Sequence, residues 1–320
     1  MNIRRITAAL GLPALVLGLV ATPATATTAA PSAPGPVVKH SKIFPSLIRL
    51  PNGFQPEGIA ISGSTAYFGS LVDGDVYAAG LRTGRGKIIS QGPGTPSVGL
   101  KADNHRRLWI AGGPSGTARV VDIRTGKILK SYTLTRSTST FINDVVLGHN
   151  SAWFTDSSRA AVYQVPIGRH GKLLDKVRTI PLRGDFKEVP NAFNANGITL
   201  TPDGRGLIIV QSATGFLFRV NPRTGFTTRV DLGKTVMTNG DGLLLLGRTL
   251  YVVRNSNQIG VLSLNRTGTR GHLVKTIKDR TFDVPTTVAP FGPRLYLPNA
   301  RFNTVTPTPT TPYWVTAVRR

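Results

Sequence analysis

Four oxygen-bearing side chains stand at the head of one repeated phrase. Glu57-Gly58-Ile59-Ala60-Ile61, Asn143-Asp144-Val145-Val146, Asn196-Gly197-Ile198-Thr199 and Asp241-Gly242-Leu243-Leu244 each begin with a carboxylate or a carboxamide and run on into apolar residues. Two carboxylates and two amide carbonyls, with no His or Cys among them, suit a hard divalent cation, calcium ahead of magnesium, manganese or zinc. Taken singly, an Asn or Asp that opens a strand serves to bond nearby backbone N–H groups. Four at equivalent places shift the balance, because clustered carboxylates repel one another and a cation relieves that cost.

The same phrase, without a charged or amide side chain, returns at Val98-Gly99-Leu100 and more faintly at Pro285-Thr286-Thr287-Val288. Successive anchors lie 41, 45, 53, 45 and 44 residues apart. A second marker keeps the same register. Arg82-Thr83-Gly84, Arg124-Thr125-Gly126, Gly168-Arg169-His170-Gly171, Arg223-Thr224-Gly225 and Arg266-Thr267-Gly268 follow their anchors by 25 to 27 residues. Each unit divides at its turn signals into short β-branched and aromatic runs. Four antiparallel strands repeated six times predict an all-β, six-bladed β-propeller. The last unit is one strand short, and Lys42–Leu50 is expected to supply the missing outer strand and close the ring.

Hairpin geometry then divides the residues between two mouths. The anchors and the ends of the second strands share one mouth, which brings Asp156, Asn255 and Asn299, with Asp144, close to the four anchors as supporting groups or substrate contacts. The Arg-Thr-Gly turns and the first-to-second turns lie at the opposite mouth, with His105, His149 and His170. The connection between Pro181 and Ala195 is the longest into an anchor and reads equally as a lid or a plain surface loop.

Composition adds outer bounds. Arg4-Arg5, an apolar run to Val20 and Ala24-Thr25-Ala26 form an expected secretory signal peptide, residues 1–26, and residues 27–41 an Ala/Thr/Pro-rich spacer. The propeller then occupies residues 42–320, and the protein is expected to be secreted and monomeric. With no cysteine, thiol catalysis and cysteine-ligated metals are excluded. A net charge of +24 favours anionic partners. Arg106, Arg107, Arg223 and Arg266 at the far mouth are the expected contacts for an anionic cell-wall polymer or membrane surface. No basic stretch is interleaved with aromatics, so nucleic acid is not an expected partner.

These residues carry a resemblance. Phe141-Ile142-Asn143-Asp144 followed by Trp153-Phe154-Thr155-Asp156 resembles the Asn-Asp and Phe-Thr-Asp pair of the regucalcin–gluconolactonase family. Asn196-Gly197 leading to Pro202-Asp203-Gly204 is similar to that family's next ligand strand, Pro56-Glu57-Gly58 to its first, and Asp241-Gly242 to its catalytic aspartate. Paraoxonases and strictosidine-synthase-like proteins share the architecture. The resemblance implies one divalent cation in the channel, held by Glu57, Asn196 and Asp241, with Asn143 a metal or substrate contact. It also implies hydrolysis of lactones or related esters, with Asp241 and Asn143 as the catalytic residues. Gly58 stands where paraoxonases have a second acidic residue, and their histidine pair has no evident counterpart. The competing expectation is a non-catalytic secreted propeller that binds a ligand or an anionic polymer.

Overall fold

A computed structural model describes residues 44–320. The expected signal peptide, spacer and residues 42–43 lie outside the described residues. Turn glycines and β-branched runs leave little room for helix, and among the described residues the one helical element is a 3-10 turn at Arg169–Gly171.

Six antiparallel sheets follow the repeat. Blade 1 comprises Pro56–Ser62, Thr65–Ser70, Val76–Gly80 and Gly86–Ser90. Blade 2 comprises Leu100–Ala102, Arg107–Ala111, Thr117–Asp122 and Ile128–Thr133. Blade 3 has Ile142–Leu147, Ser151–Asp156, Ala161–Pro166 and Arg178–Pro181; blade 4 has Ala195–Leu200, Leu207–Gln211, Phe216–Val220 and Phe226–Arg229. Blade 5 has Gly240–Leu246, Thr249–Arg254, Gln258–Leu264 and Gly271–Ile277. Blade 6 is built from Ala289–Phe291, Arg294–Pro298 and Tyr313–Arg319, and its outer strand is Leu47–Leu50 from the other end of the chain. The protein is a six-bladed β-propeller.

The closing strand pairs Leu47 with Thr316 and Leu50 with Tyr313. It alternates, with Ile48 and Leu50 buried and Leu47 and Arg49 exposed. Each buried aliphatic side chain is worth about 1.5–3 kcal/mol, enough to hold so short a strand. The core lies between neighbouring blades. Trp109, Val120 and Tyr132 of blade 2 pack on Val145, Phe154 and Tyr163 of blade 3. Ile208, Val210 and Leu217 of blade 4 pack likewise on Leu243, Val252 and Leu262 of blade 5.

Around the channel the blades are joined by hydrogen bonds. Ser97 N donates to Ser70 O (2.9 Å), Gly99 N to Asn143 O (2.8 Å) and Thr155 Oγ1 to Asn196 O (2.5 Å). Gly242 N donates to Thr286 O (2.8 Å), and Thr286 Oγ1 closes the ring on Glu57 O (2.6 Å). The glycine after an anchor permits this approach. A Cβ on Gly58 would lie 2.2 Å from Val98 O, and one on Gly197 would lie 2.1 Å from Asp241 O.

Blade 4 carries an addition that the repeat does not signal. Arg183–Gly184 runs parallel to Phe226–Arg229 as a fifth strand. Phe186 is buried behind it, and its N–H donates to Thr227 Oγ1 at 2.9 Å. The long connection weighed as a lid is therefore fastened to its own blade along its first half.

Candidate functional site

The four anchors owe their aim to a shared irregularity. In each of four blades the inner strand gains one residue against its neighbour, between Pro56 and Ile59, Ile142 and Val145, Ala195 and Ile198, and Gly240 and Leu243. These are β-bulges at the rim of the channel, where an extra residue turns a side chain out of the regular alternation. Glu57, Asn143, Asn196 and Asp241 each sit in the bulge. All four are buried, 4–6 % exposed, and all four line one cavity of about 700 Å³ at their mouth.

Their orientation is fixed from behind. Ser157 Oγ donates its only proton to Ala195 O (2.9 Å), so it can only accept from Asn143 Nδ2 (2.9 Å). Ser212 Oγ donates to Gly240 O (2.6 Å) and accepts from Asn196 Nδ2 (2.9 Å). Both amide nitrogens are thus committed outward. Asn143 Oδ1, Asn196 Oδ1 and Glu57 Oε2 are buried with no hydrogen-bond partner.

Buried acceptors without donors are costly, on the order of 1–3 kcal/mol each and more for a charged oxygen. Three in one cavity, beside a fourth oxygen ligand type in Asp241, are what a cation would satisfy. Among the described residues no three of His, Cys, Asp and Glu come together as a metal group; the set rests on two amides as well as two carboxylates. Oxygen donors of this kind fit calcium better than zinc.

Electrostatics agree with the geometry. Burial raises the Glu57 carboxyl well above its usual range, and the nearby Asp241 and Asp144 carboxylates raise it further against a smaller opposing pull from Lys101. Burial likewise raises Asp241, to about 7, although the amide bond from Asn255 works in the other direction. Asn255 Nδ2 reaches Asp241 Oδ2 at 2.7 Å.

Asp144 lies in the channel wall rather than in the cavity. Its carboxylate accepts from Val145 N (2.8 Å), Ile198 N (3.4 Å) and Lys101 Nζ (3.4 Å), bridging blades 2, 3 and 4. Asn255 lines the cavity as expected. Asp156 and Asn299 do not. The expectation placed them with Asn255, but Asp156 pairs with Ile142 and Asn299 with Pro285, whereas in blade 5 the equivalent residue is Arg254. One step along a strand reverses the side on which a residue points. Asp156 accepts from Thr140 Oγ1 (2.5 Å), Phe141 N (2.9 Å), Ser158 N (3.0 Å) and the Tyr163 hydroxyl (3.0 Å). Asn299 accepts from Asp283 N (2.9 Å) and donates to Thr316 Oγ1 (3.0 Å). Both fasten the loop that leads into an anchor.

Arg107 also departs from expectation. It was expected in an exposed turn ready for an anionic polymer, but it opens the second strand of blade 2 and is buried. Its Nε donates to Asp103 Oδ2 (2.8 Å) and its Nη1 to Gly171 O (2.6 Å). Arg106, Arg223 and Arg266 are exposed. His105, His149 and His170 do lie away from the anchors, exposed around a separate hollow with Arg169.

Sequence reasoning missed the cavity's walls. Beside Val98, itself an anchor, Leu71, Pro114, Phe141, Phe193 and Phe302 enclose the space. It also missed Ser157 and Ser212, although Asp156-Ser157 and Gln211-Ser212 fall one residue beyond equivalent strand ends and were a readable signal.

No protein-family model matches the chain, and no curated protein matches it. Solved structures share its fold. The calcium-binding protein regucalcin from Agrobacterium tumefaciens is 18 % identical, with a TM-score of 0.58 over 84 % of this chain and 92 % of that one. Virginiamycin B lyase from Staphylococcus aureus is 19 % identical, with a TM-score of 0.56 over 78 % and 80 %. The Malassezia sympodialis allergen Mala s 1 is 13 % identical, with a TM-score of 0.66 over 86 % and 96 %. At these identities the likeness is one of fold.

Proposed function

We propose that the protein is a secreted, divalent-cation-dependent hydrolase of lactones or related esters. The observation that carries this reading is the group of three buried, unpartnered oxygens, on Glu57, Asn143 and Asn196, in one cavity with Asp241. These four residues would hold the cation, calcium before magnesium, manganese or zinc. When bound, such an ion polarises a substrate carbonyl and makes water a better nucleophile at neutral pH. The regucalcin neighbour, itself described as calcium-binding, supports the choice of ion.

The chain's own groups supply the rest. Asn143 and Asn196 present carbonyl oxygens whose orientation Ser157 and Ser212 fix, so the site is organised before substrate arrives. Asp241, held through Oδ2 by Asn255, takes the proton from the attacking water as the water oxygen bonds to the carbonyl carbon, and the acyl C–O bond breaks in the collapse that follows. That proton then passes to the leaving oxygen, and a hydroxy acid results from a lactone. The apolar walls keep bulk water from the reacting carbonyl.

The test is acid release from a lactone and aryl-ester panel by the purified chain, with calcium, with chelator, and with Asp241→Asn. Turnover that chelator abolishes and calcium restores supports the reading; turnover indifferent to chelator overturns it. The second reading, a non-catalytic binder, draws on the cavity's titratable groups, which among the described residues are Glu57 and Asp241, both already assigned to the cation. Calcium and ligand binding without turnover across the panel would favour it.

A further inference from the structure

The cavity is two-toned. Its floor holds Glu57, Asn143, Asn196, Asp241, Asn255 and Ser212, whereas its walls are mostly hydrocarbon, from Leu71, Val98, Pro114, Phe141, Phe193 and Phe302, with the exposed amide of Asn239 beside them. Among the described residues no Arg, Lys or His lines it. The wall residues come from loops of several blades and still converge. Phe141 and Phe193 meet edge to face, with ring centroids 5.4 Å apart at 76°. Phe193 and Phe302 are 53 % and 56 % exposed, from the connection into blade 4 and the long loop of blade 6. Two half-exposed phenylalanines at the entrance of a cavity with an aromatic wall leave apolar surface that a substrate can cover.

This lining discriminates among substrates. A polyhydroxylated lactone would have to bury most of its hydroxyls against Phe, Leu and Pro, with Asn239 the wall's one amide to meet them, and the unpaired ones cost binding. An anionic substrate would find no cationic side chain at the wall to pair with, and the two carboxylates at the floor are already committed to the cation. A neutral molecule with one carbonyl and a hydrocarbon or aromatic tail satisfies both zones. We propose that the pocket selects neutral, hydrophobic carbonyl compounds, with the carbonyl at the floor and the tail against Phe141, Phe193 and Phe302. The proposal rests on the hydrolase reading only for the fate of the carbonyl; the selectivity is one of binding.

The experiment separates the two. Calorimetry on the calcium-loaded full chain compares alkyl γ-lactams of increasing tail length, which mimic lactones but resist hydrolysis, with the lactam of a sugar lactone. Affinity should rise by up to about fourfold per added methylene until the tail outgrows the cavity, and the sugar lactam should bind far more weakly. Phe193→Ser and Phe302→Ser, at half-exposed positions that leave the core intact, should each weaken the long-tailed lactam by about tenfold and flatten the dependence on tail length. A sugar lactam that binds as well as the alkyl series, or a tail-length dependence unchanged in both variants, overturns the proposal. Alkyl lactams that bind as expected, with no lactone turned over, uphold the selectivity and remove the hydrolase reading. Lactone turnover together with lactam affinity that is indifferent to tail length does the reverse.

Discussion

Asn255 Nδ2 donates to Asp241 Oδ2 at 2.7 Å and to Pro285 O at 3.1 Å, so one side chain both steadies an anchor and ties blade 5 to blade 6. One blade earlier Ser212 does the same work with opposite polarity. It accepts from Asn196 and donates to Gly240 O. Where the anchor presents an amide N–H backward, the support is a hydroxyl with a lone pair to spare. Where the anchor is a carboxylate, which can only accept, the support is an amide donor. The site's arrangement is thus encoded in pairs.

The pairing makes Ser212 a positioning residue with a measurable effect. In Ser212→Ala, Asn196 Nδ2 loses its acceptor, and the amide is free to turn its nitrogen toward the cation. Supporting groups of this kind change metal affinity by about 10–100-fold when removed. The expected outcome is at least a tenfold loss of calcium affinity by calorimetry, with a stability loss of about 1 kcal/mol from the hydrogen bonds removed. Ser157→Ala should behave alike through Asn143. Calcium affinity unchanged in both variants would show that the serines do not set the amides.

Asp241 and Asp156 should separate function from stability. Asp241→Asn keeps the shape and the Asn255 neighbour but removes the base, and should lower turnover of a confirmed substrate by about 10²–10⁴. Asp156 is fully buried and accepts four hydrogen bonds that hold Thr140, Phe141, Ser158 and Tyr163. Asp156→Asn places donors where acceptors are needed, so it should cost about 1–3 kcal/mol of stability while the surviving folded protein stays active. Denaturant unfolding beside initial rates reads both effects, and a reversed pattern sinks the assignment.

How far the sequence could be read follows from which signals repeat. The six anchors and the Arg-Thr-Gly turns recur in register, so the blade number, the strand count and even the Leu47–Leu50 closure were legible. The four oxygen residues were legible for the same reason. Asp156 and Asn299 were misplaced because the end of a strand does not reveal which side its last residue faces, and the bulge shifts that parity by one. Phe193 and Phe302 were invisible, since they come from loops whose lengths differ and which carry no period. Arg107 follows the exposed Arg106 in sequence, and only the fold reveals that Asp103 and Gly171 draw its guanidinium inward.

The raised carboxyls predict a pH dependence whose sign depends on calcium. Burial makes ionisation of Glu57 and Asp241 unfavourable in the folded, cation-free chain. An acid whose folded pKa lies above its unfolded one stabilises the fold at low pH, and that contribution is lost as pH rises. For Asp241 the loss should run from about pH 4, the unfolded value, through its folded value of about 7. Melting temperature in chelator should therefore fall across this window. Calcium favours the ionised carboxylates, so it should reduce or abolish the fall, and its affinity should rise with pH up to about 7 with release of protons. A flat melting profile in chelator, identical with and without calcium, contradicts the buried-carboxylate account.

The last prediction concerns the far mouth, whose turns carry Arg82, Arg85, Arg106, Arg124, Arg205, Arg223, Arg248 and Arg266, all exposed. Few acids answer them there. Asp103 is engaged by Arg107, and Asp122 and Asp203 are tied into their own turns by backbone N–H groups. We propose that this face rests against an anionic surface polymer while the cavity at the other mouth stays open to substrate. Each arginine alone adds little, but a ring of them on one face acts as a field. Such attraction weakens with salt, because the screening length contracts from about 10 Å at 0.1 M to about 3 Å at 1 M. Retention on an immobilised polyphosphate or teichoic-acid-like polymer should fall steeply over that range. Replacing Arg106, Arg223 and Arg266 with Gln should shift release to markedly lower salt, whereas Arg107→Gln should lower stability, because it breaks the bonds to Asp103 and Gly171, and leave retention little changed. Retention that ignores salt, or a triple variant that elutes with the parent, removes the tethering role and leaves the cavity's chemistry as it stands.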